Sequence, residues 1–128
     1  MEPALDFWRN RLSVIHTDLL EFQPNDFYDQ IICNPPFFQD NQLGSNSQKN
    51  KAIHNSNLSF EDLATSISRL IHPEKGIASV LYPEYEMGLF SQKMQERGFY
   101  VVADIKIHNQ RDKPIFRRVK SFSQIKPE

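Results

Sequence analysis

The stretch from Asp29 to Phe38 limits what this chain can become more than any other. Asp29-Gln30-Ile31-Ile32-Cys33 is an apolar run of strand length that ends abruptly in Asn34-Pro35-Pro36-Phe37-Phe38. Proline has no N–H to donate, so it cannot continue a central strand. Each proline also drives the residue before it into extended geometry, which stiffens Asn34 and Pro35. The sequence therefore puts a polar amide at the carboxyl end of a buried strand, in rigid backbone, next to a flat aromatic ring. An ordinary strand followed by a proline-rich turn uses the same residues without chemistry. Placement directly behind a buried-strand pattern favours the chemical reading.

The chemistry that suits this arrangement is the activation of an exocyclic amine. The lone pair of such a group, adenine N6 for example, is delocalised into its ring and is a poor nucleophile. Two acceptors aimed at its two N–H groups localise that pair. The Asn34 side-chain oxygen and the Pro35 carbonyl can supply them, because proline keeps its C=O. Phe37 can hold the base by stacking, a contact worth roughly 1–3 kcal/mol. Cys33, the single cysteine, rules out an internal disulfide framework and reads as a small core residue rather than a nucleophile.

On either side of this stretch, strand and helix signals alternate. Ala4 to Arg11 reads as the tail of a helix and Leu12 to His16 as a strand, with Asp18 at its carboxyl end. In open α/β sheets that edge binds ligands, although Asp is equally at home as a helix cap or turn residue. Gln39 to Asn57 is a polar stretch with only Leu43, Ala52 and Ile53 as aliphatic residues. Loops of this length are usually functional or disordered. As a recognition lid it would present Lys49, Lys51 and His54 to a substrate. Ser59 is placed to cap a helix whose stripe is Phe60, Leu63, Ala64, Ile67, Leu70 and Ile71. Pro73 stops that helix, and Gly76 leads into a strand over Ile77 to Tyr82. A second helix runs from about Glu84 to Arg97, with Met87, Phe90 and Met94 as core and Gly98 as its C′ residue. Phe99–Ile107 and Ile115–Phe122 then read as an antiparallel pair across a connection carrying Arg111 and Lys113. The order implies the latter part of a doubly wound α/β sheet that ends in a hairpin.

Charge is unevenly placed. Residues 1–103 hold 8 basic and 13 acidic side chains, whereas residues 104–128 hold 7 and 3. The basic end, with Arg111, Lys113, Arg117 and Arg118, suits a phosphate backbone, although solvated cations on a hairpin are the commoner reason for such a pattern. The formal net charge of −1 argues against strong nucleic-acid binding by the chain alone. No apolar run approaches a membrane span, no signal-peptide pattern opens the chain, and a lone cysteine fits a reducing cytoplasm. His16, His54, His72 and His108 lack metal-ligand spacing, and no acyl-transfer elbow or Walker loop is present.

Asn34-Pro35-Pro36-Phe37 resembles the (N/D)PP(Y/F/W) signature of S-adenosylmethionine-dependent amino-methyltransferases. With Leu12–Asp18, Leu58–Leu63 and Arg117, the chain is similar to bacterial tRNA adenine-N6 methyltransferases acting on a valine tRNA. The resemblance implies the class I methyltransferase fold, a Rossmann-like sheet of order 3-2-1-4-5-7-6. It implies S-adenosylmethionine as cofactor, tRNA as partner, Asn34, Pro35 and Phe37 as catalytic residues, and Asp18 with Asn34 against the cofactor. It also implies a glycine-rich loop and an acidic ribose ligand on two earlier strands. None of the four glycines, Gly44, Gly76, Gly88 and Gly98, lies in a G-x-G loop after a strand. Residues 1–128 are therefore expected to form one partial domain, the carboxyl-terminal part of such a fold, with a strand edge free to pair with a missing half or another chain. The alternatives are N5-glutamine methylation of a protein and an inactive RNA-binding remnant.

Overall fold

The computed structural model describes residues 8–37 and 58–128. Four strands form one sheet: β1 (Gln30–Cys33), β2 (Ile77–Tyr82), β3 (Tyr100–His108) and β4 (Ile115–Ser123), in the spatial order β1-β2-β4-β3. β1 and β2 are parallel, with Cys33 opposite Val80. β4 runs antiparallel to both β2 and β3. This is the 4-5-7-6 portion of the order that the sequence resemblance implies. A parallel pair needs a crossover, and here helix α1 (Phe60–Leu70) lies on that connection. Helix α2 (Glu84–Glu96) joins β2 to β3.

Both helices begin and end where local chemistry dictates. The Ser59 hydroxyl accepts from the Asp62 N–H at 2.9 Å, which satisfies one of the donors that a helix start leaves unpaired. Helix α1 stops at Leu70, one turn before Pro73, with Ile71 already extended. Gly98 follows α2 at φ +81°, a left-handed conformation that costs an L side chain strain. Gly76 is needed for space: a Cβ there would stand 2.3 Å from Ile71 Cγ1 and 2.5 Å from the His72 carbonyl.

The core lies between the helices and one face of the sheet. Leu63, Ala64, Ile67 and Ile71 from α1 and Met87, Phe90 and Met94 from α2 close over Ala78, Val80 and Tyr82 of β2 and Phe122 of β4. Tyr82 meets Phe60 and Phe90, each at a centroid distance of 5.3 Å, and Phe90 meets Phe122 edge-on at 5.7 Å. Arg97 binds the helices together, donating to the Glu61 carboxylate, to Thr65 Oγ1 at 2.8 Å and to the Lys93 carbonyl at 3.1 Å. That guanidinium holds the Glu61 carboxyl below the usual carboxylate range.

Among the described residues, nothing covers the opposite face of the sheet. Ile32 is 77% exposed and Ile105 57%, and Ile77 and Ile107 are also open to solvent. Among the described residues β1 pairs on one side only, with β2. One expectation fails here. Leu12 to His16 belongs to no strand and is exposed, with Val14 97% open. A strand exists through a neighbour that takes its backbone hydrogen bonds, and no neighbour for this segment is present among the described residues. Of the expected first helix, Trp8 is helical and residues 9–11 form a turn in which the Arg11 and Leu12 N–H groups both donate to the Trp8 carbonyl, while residues 4–7 lie outside the described residues.

Candidate active site

The motif leaves the sheet at the carboxyl end of the parallel pair, the edge where open α/β sheets bind ligands. β1 alternates, with Ile31 and Cys33 packing against the core and Ile32 facing outward. The chain then places Asn34 in solvent, buries Pro35, exposes Pro36 and half-buries Phe37 against the core. Pro35 thus anchors the turn while its neighbour presents a free carboxamide. Burial pushes the Cys33 thiol up, which leaves it a neutral packing group. Tyr82 ends β2 on the same side of the sheet. Its phenol is fully buried with no hydrogen-bond partner among the described residues, and burial, with Cys33 and Glu86 nearby, raises its pKa strongly.

Phe37 is met from the hairpin. The Arg117 guanidinium lies 5.0 Å from the Phe37 ring centroid and 4.0 Å from that of Phe116. Its Nη1 donates to the Phe116 carbonyl at 2.9 Å. Sequence reasoning named Phe37 and Arg117 separately and missed Phe116. The signal was an aromatic residue directly before an arginine on the last strand, and nothing local ties that pair to the motif.

The remaining candidates separate. Arg118, next to Arg117 but on the other face of β4, donates from Nε and Nη2 to Asp104 at 2.9 and 3.0 Å and from Nη1 to Glu84 at 2.5 Å. This fork holds the Asp104 carboxyl below its ordinary range and raises the arginine's own pKa. Arg118 is therefore a brace between β3, β4 and α2, its charge already answered. Arg111 and Lys113 are exposed at the hairpin tip, where the His108 Nδ1 donates to the Lys113 carbonyl at 2.7 Å. Asp18 caps a single 3-10 turn over Leu19–Glu21, its Oδ1 accepting from the Leu20 N–H at 2.9 Å. That turn is held from α1, where Arg69 donates to the Phe22 carbonyl at 2.5 Å and the Leu19 carbonyl at 3.1 Å. Lys49, Lys51 and His54 lie outside the described residues. Among the described residues no group of three or more His, Cys, Asp or Glu side chains could hold a metal, and no helix is long and apolar enough to cross a membrane.

The sheet order, the one-sided helices and the proline motif at the carboxyl end of the parallel pair define the carboxyl-terminal part of a class I methyltransferase fold. Solved methyltransferases share it: the N-methyltransferase NodS from Bradyrhizobium japonicum aligns over 95% of this chain and 68% of its own, with a TM-score of 0.54 and 12% identity. A methyltransferase from Pyrococcus furiosus aligns over 79% of this chain and 43% of its own, with a TM-score of 0.50 and 16% identity. No protein-family model matches the chain. The chain is a homologue of curated proteins named tRNA1(Val) (adenine(37)-N6)-methyltransferase. That of Dyadobacter fermentans is 36% identical over 117 residues, covering 91% of this chain and 48% of the relative. That of Aliivibrio salmonicida is 33% identical over 110 residues, covering 86% and 47%. The chain spans about half the length of the curated relatives it matches.

Proposed function

We propose that this chain carries the amine-receiving half of an S-adenosylmethionine-dependent methyltransferase acting on adenine N6 in tRNA. The observation that carries the reading is the exposed Asn34 carboxamide, held beside the anchored Pro35 at the carboxyl end of the β1–β2 pair. The Asn34 Oδ1 and the Pro35 carbonyl accept from the two N–H groups of the target amine, and Phe37 lies against the base. Sequence-specific RNA recognition works mainly on unpaired bases that can be splayed into such a pocket. Bound S-adenosylmethionine would supply a methyl group activated on sulfur. The described glycines Gly76, Gly88 and Gly98 follow or lie within helices, so none forms a strand-to-helix cradle for a nucleoside. Asp18, engaged at its own cap, offers at most one edge contact for the cofactor.

The edge of β1 and the sheet face, open among the described residues, support a further part of the reading. A polypeptide bearing the glycine-rich loop pairs with β1 and covers Ile32 and Ile77, and tRNA meets the hairpin side. A tRNA substrate fits a protein that works in the cytoplasm. Methylation of a glutamine amide in a protein would use the same two acceptors, but the names of the relatives favour RNA. The test is reconstitution: the chain is fused to the amino-terminal half of the Dyadobacter relative, supplied with labelled S-adenosylmethionine and unmodified tRNA, and the digested nucleosides are analysed by mass spectrometry. N6-methyladenosine that disappears with Asn34→Ala is expected. Label recovered only in protein, or equal product from the variant, rejects the reading.

A further inference from the structure

We infer that Phe37, Arg117 and Phe116 form a stacking ladder that takes a second nucleotide of single-stranded RNA, adjoining the one whose amine faces Asn34. The inference rests on the methyltransferase reading and adds to it a site for the flanking nucleotide. A guanidinium between two aromatic rings, 5.0 Å from one and 4.0 Å from the other, links the motif to the hairpin. Its hydrogen bond to the Phe116 carbonyl fixes the plane from the backbone side.

The contrast with Arg118 shows why this is more than a brace. Arg118 has two carboxylates, Asp104 and Glu84. Arg117 forms no ion pair among the described residues, and an aromatic face attracts a cation without neutralising it. A half-buried guanidinium with no carboxylate partner among the described residues is a good receptor for a phosphate, which it can grip with donors its aromatic contacts leave free. Phe116 stays 42% exposed, which leaves part of its ring open to a ligand. Bases unstacked from RNA rest on aromatic rings and on guanidinium planes. The ladder therefore runs from the half-buried Phe37, which takes the target base, through a phosphate-binding cation, to an open ring for the neighbouring base. Arg111 and Lys113 extend the positive surface beyond it.

The test titrates the 128-residue chain at low salt with a short single-stranded oligoribonucleotide carrying 2-aminopurine, whose fluorescence is quenched on stacking. Saturable quenching is expected. Phe116→Leu, which keeps apolar bulk and removes the π face, should weaken binding roughly 5- to 150-fold, and Phe116→Trp should not. Arg117→Ala should flatten the dependence of log affinity on log salt by about 0.7. Arg117→Lys should restore that slope but not the quenching, because an ammonium has no plane to stack. Wild-type affinity in Phe116→Leu, or no saturable binding by the parent chain, overturns the ladder. If Phe37→Ala weakens binding while Phe116→Leu does not, the flanking site falls and the target-base reading stands. If instead the reconstituted enzyme keeps its methyl transfer with Asn34→Ala, the reading falls whatever the ladder binds.

Discussion

Replacing Tyr82 by phenylalanine should make the protein more stable. The ring is fully buried among Phe60, Phe90 and the α1 and α2 core, yet its hydroxyl has no hydrogen-bond partner among the described residues. In the unfolded chain that hydroxyl is hydrogen-bonded to water, so folding strips it without replacement. An unpaired buried hydroxyl of this kind costs about 1–3 kcal/mol. Removing one oxygen leaves the two 5.3 Å aromatic contacts in place, and the cavity it vacates is smaller than a methyl group, so the repacking loss is well under about 1 kcal/mol. The net expectation is a gain of about 1 kcal/mol, which for a domain of this size raises Tm by a few degrees. Urea unfolding followed by circular dichroism measures it, and the denaturant slope should stay unchanged because the surface exposed on unfolding is the same. A loss of about 0.5 kcal/mol or more, outside the error of such fits, would show that the hydroxyl is satisfied and refute the reasoning.

Other expectations follow from particular contacts. In the reconstituted enzyme, Asn34→Ala should cost on the order of 10²–10³ in turnover, as removal of one positioned polar group does; a rate within threefold of the parent contradicts its role. Gly98→Ala forces an alanine to φ +81° with open space around it, so it should destabilise by roughly 1 kcal/mol through backbone strain alone, read from the urea midpoint. Asp104 is held below its ordinary range by Arg118. The stability it lends is complete above the unfolded carboxylate range and is lost as the pH falls through the lowered folded value. Asp104→Asn should therefore flatten the acid limb of a stability–pH curve and change its shape little near neutrality. Ile32→Lys, on the exposed face of the edge strand β1, should reduce self-association seen by sedimentation, since an inserted charge blunts an open edge.

What could be read from the sequence was whatever local chemistry decides. Ser59 as a cap, Gly98 as a stop, the α1 stripe and the span Ile77–Tyr82 all follow from neighbours within one helical turn or one strand. The proline motif announced its own geometry for the same reason: two prolines leave little conformational choice. Leu12–His16 has the composition of a strand but needs a partner that composition does not reveal, and it stays exposed outside the sheet. Asp18 illustrates competition, since the same carboxylate suits a cofactor edge or a local cap, and the cap is the contact formed. Arg117 and Arg118 look interchangeable in the sequence. Strand alternation sends them to opposite faces, and only the pairing of β4 with β3 and the approach of α2 decide which finds carboxylates. Phe116 could not be assigned to the motif, because its link to Phe37 runs through the whole sheet.

The central claim is that this chain holds the groups that receive the amine while the groups that grip the cofactor lie elsewhere. Isothermal titration of the purified 128-residue chain with S-adenosylmethionine tests it most directly. No saturable heat is expected with the chain alone, and saturable binding is expected once the amino-terminal half of a relative is joined to it. A micromolar dissociation constant with one-to-one stoichiometry for the chain alone would contradict it.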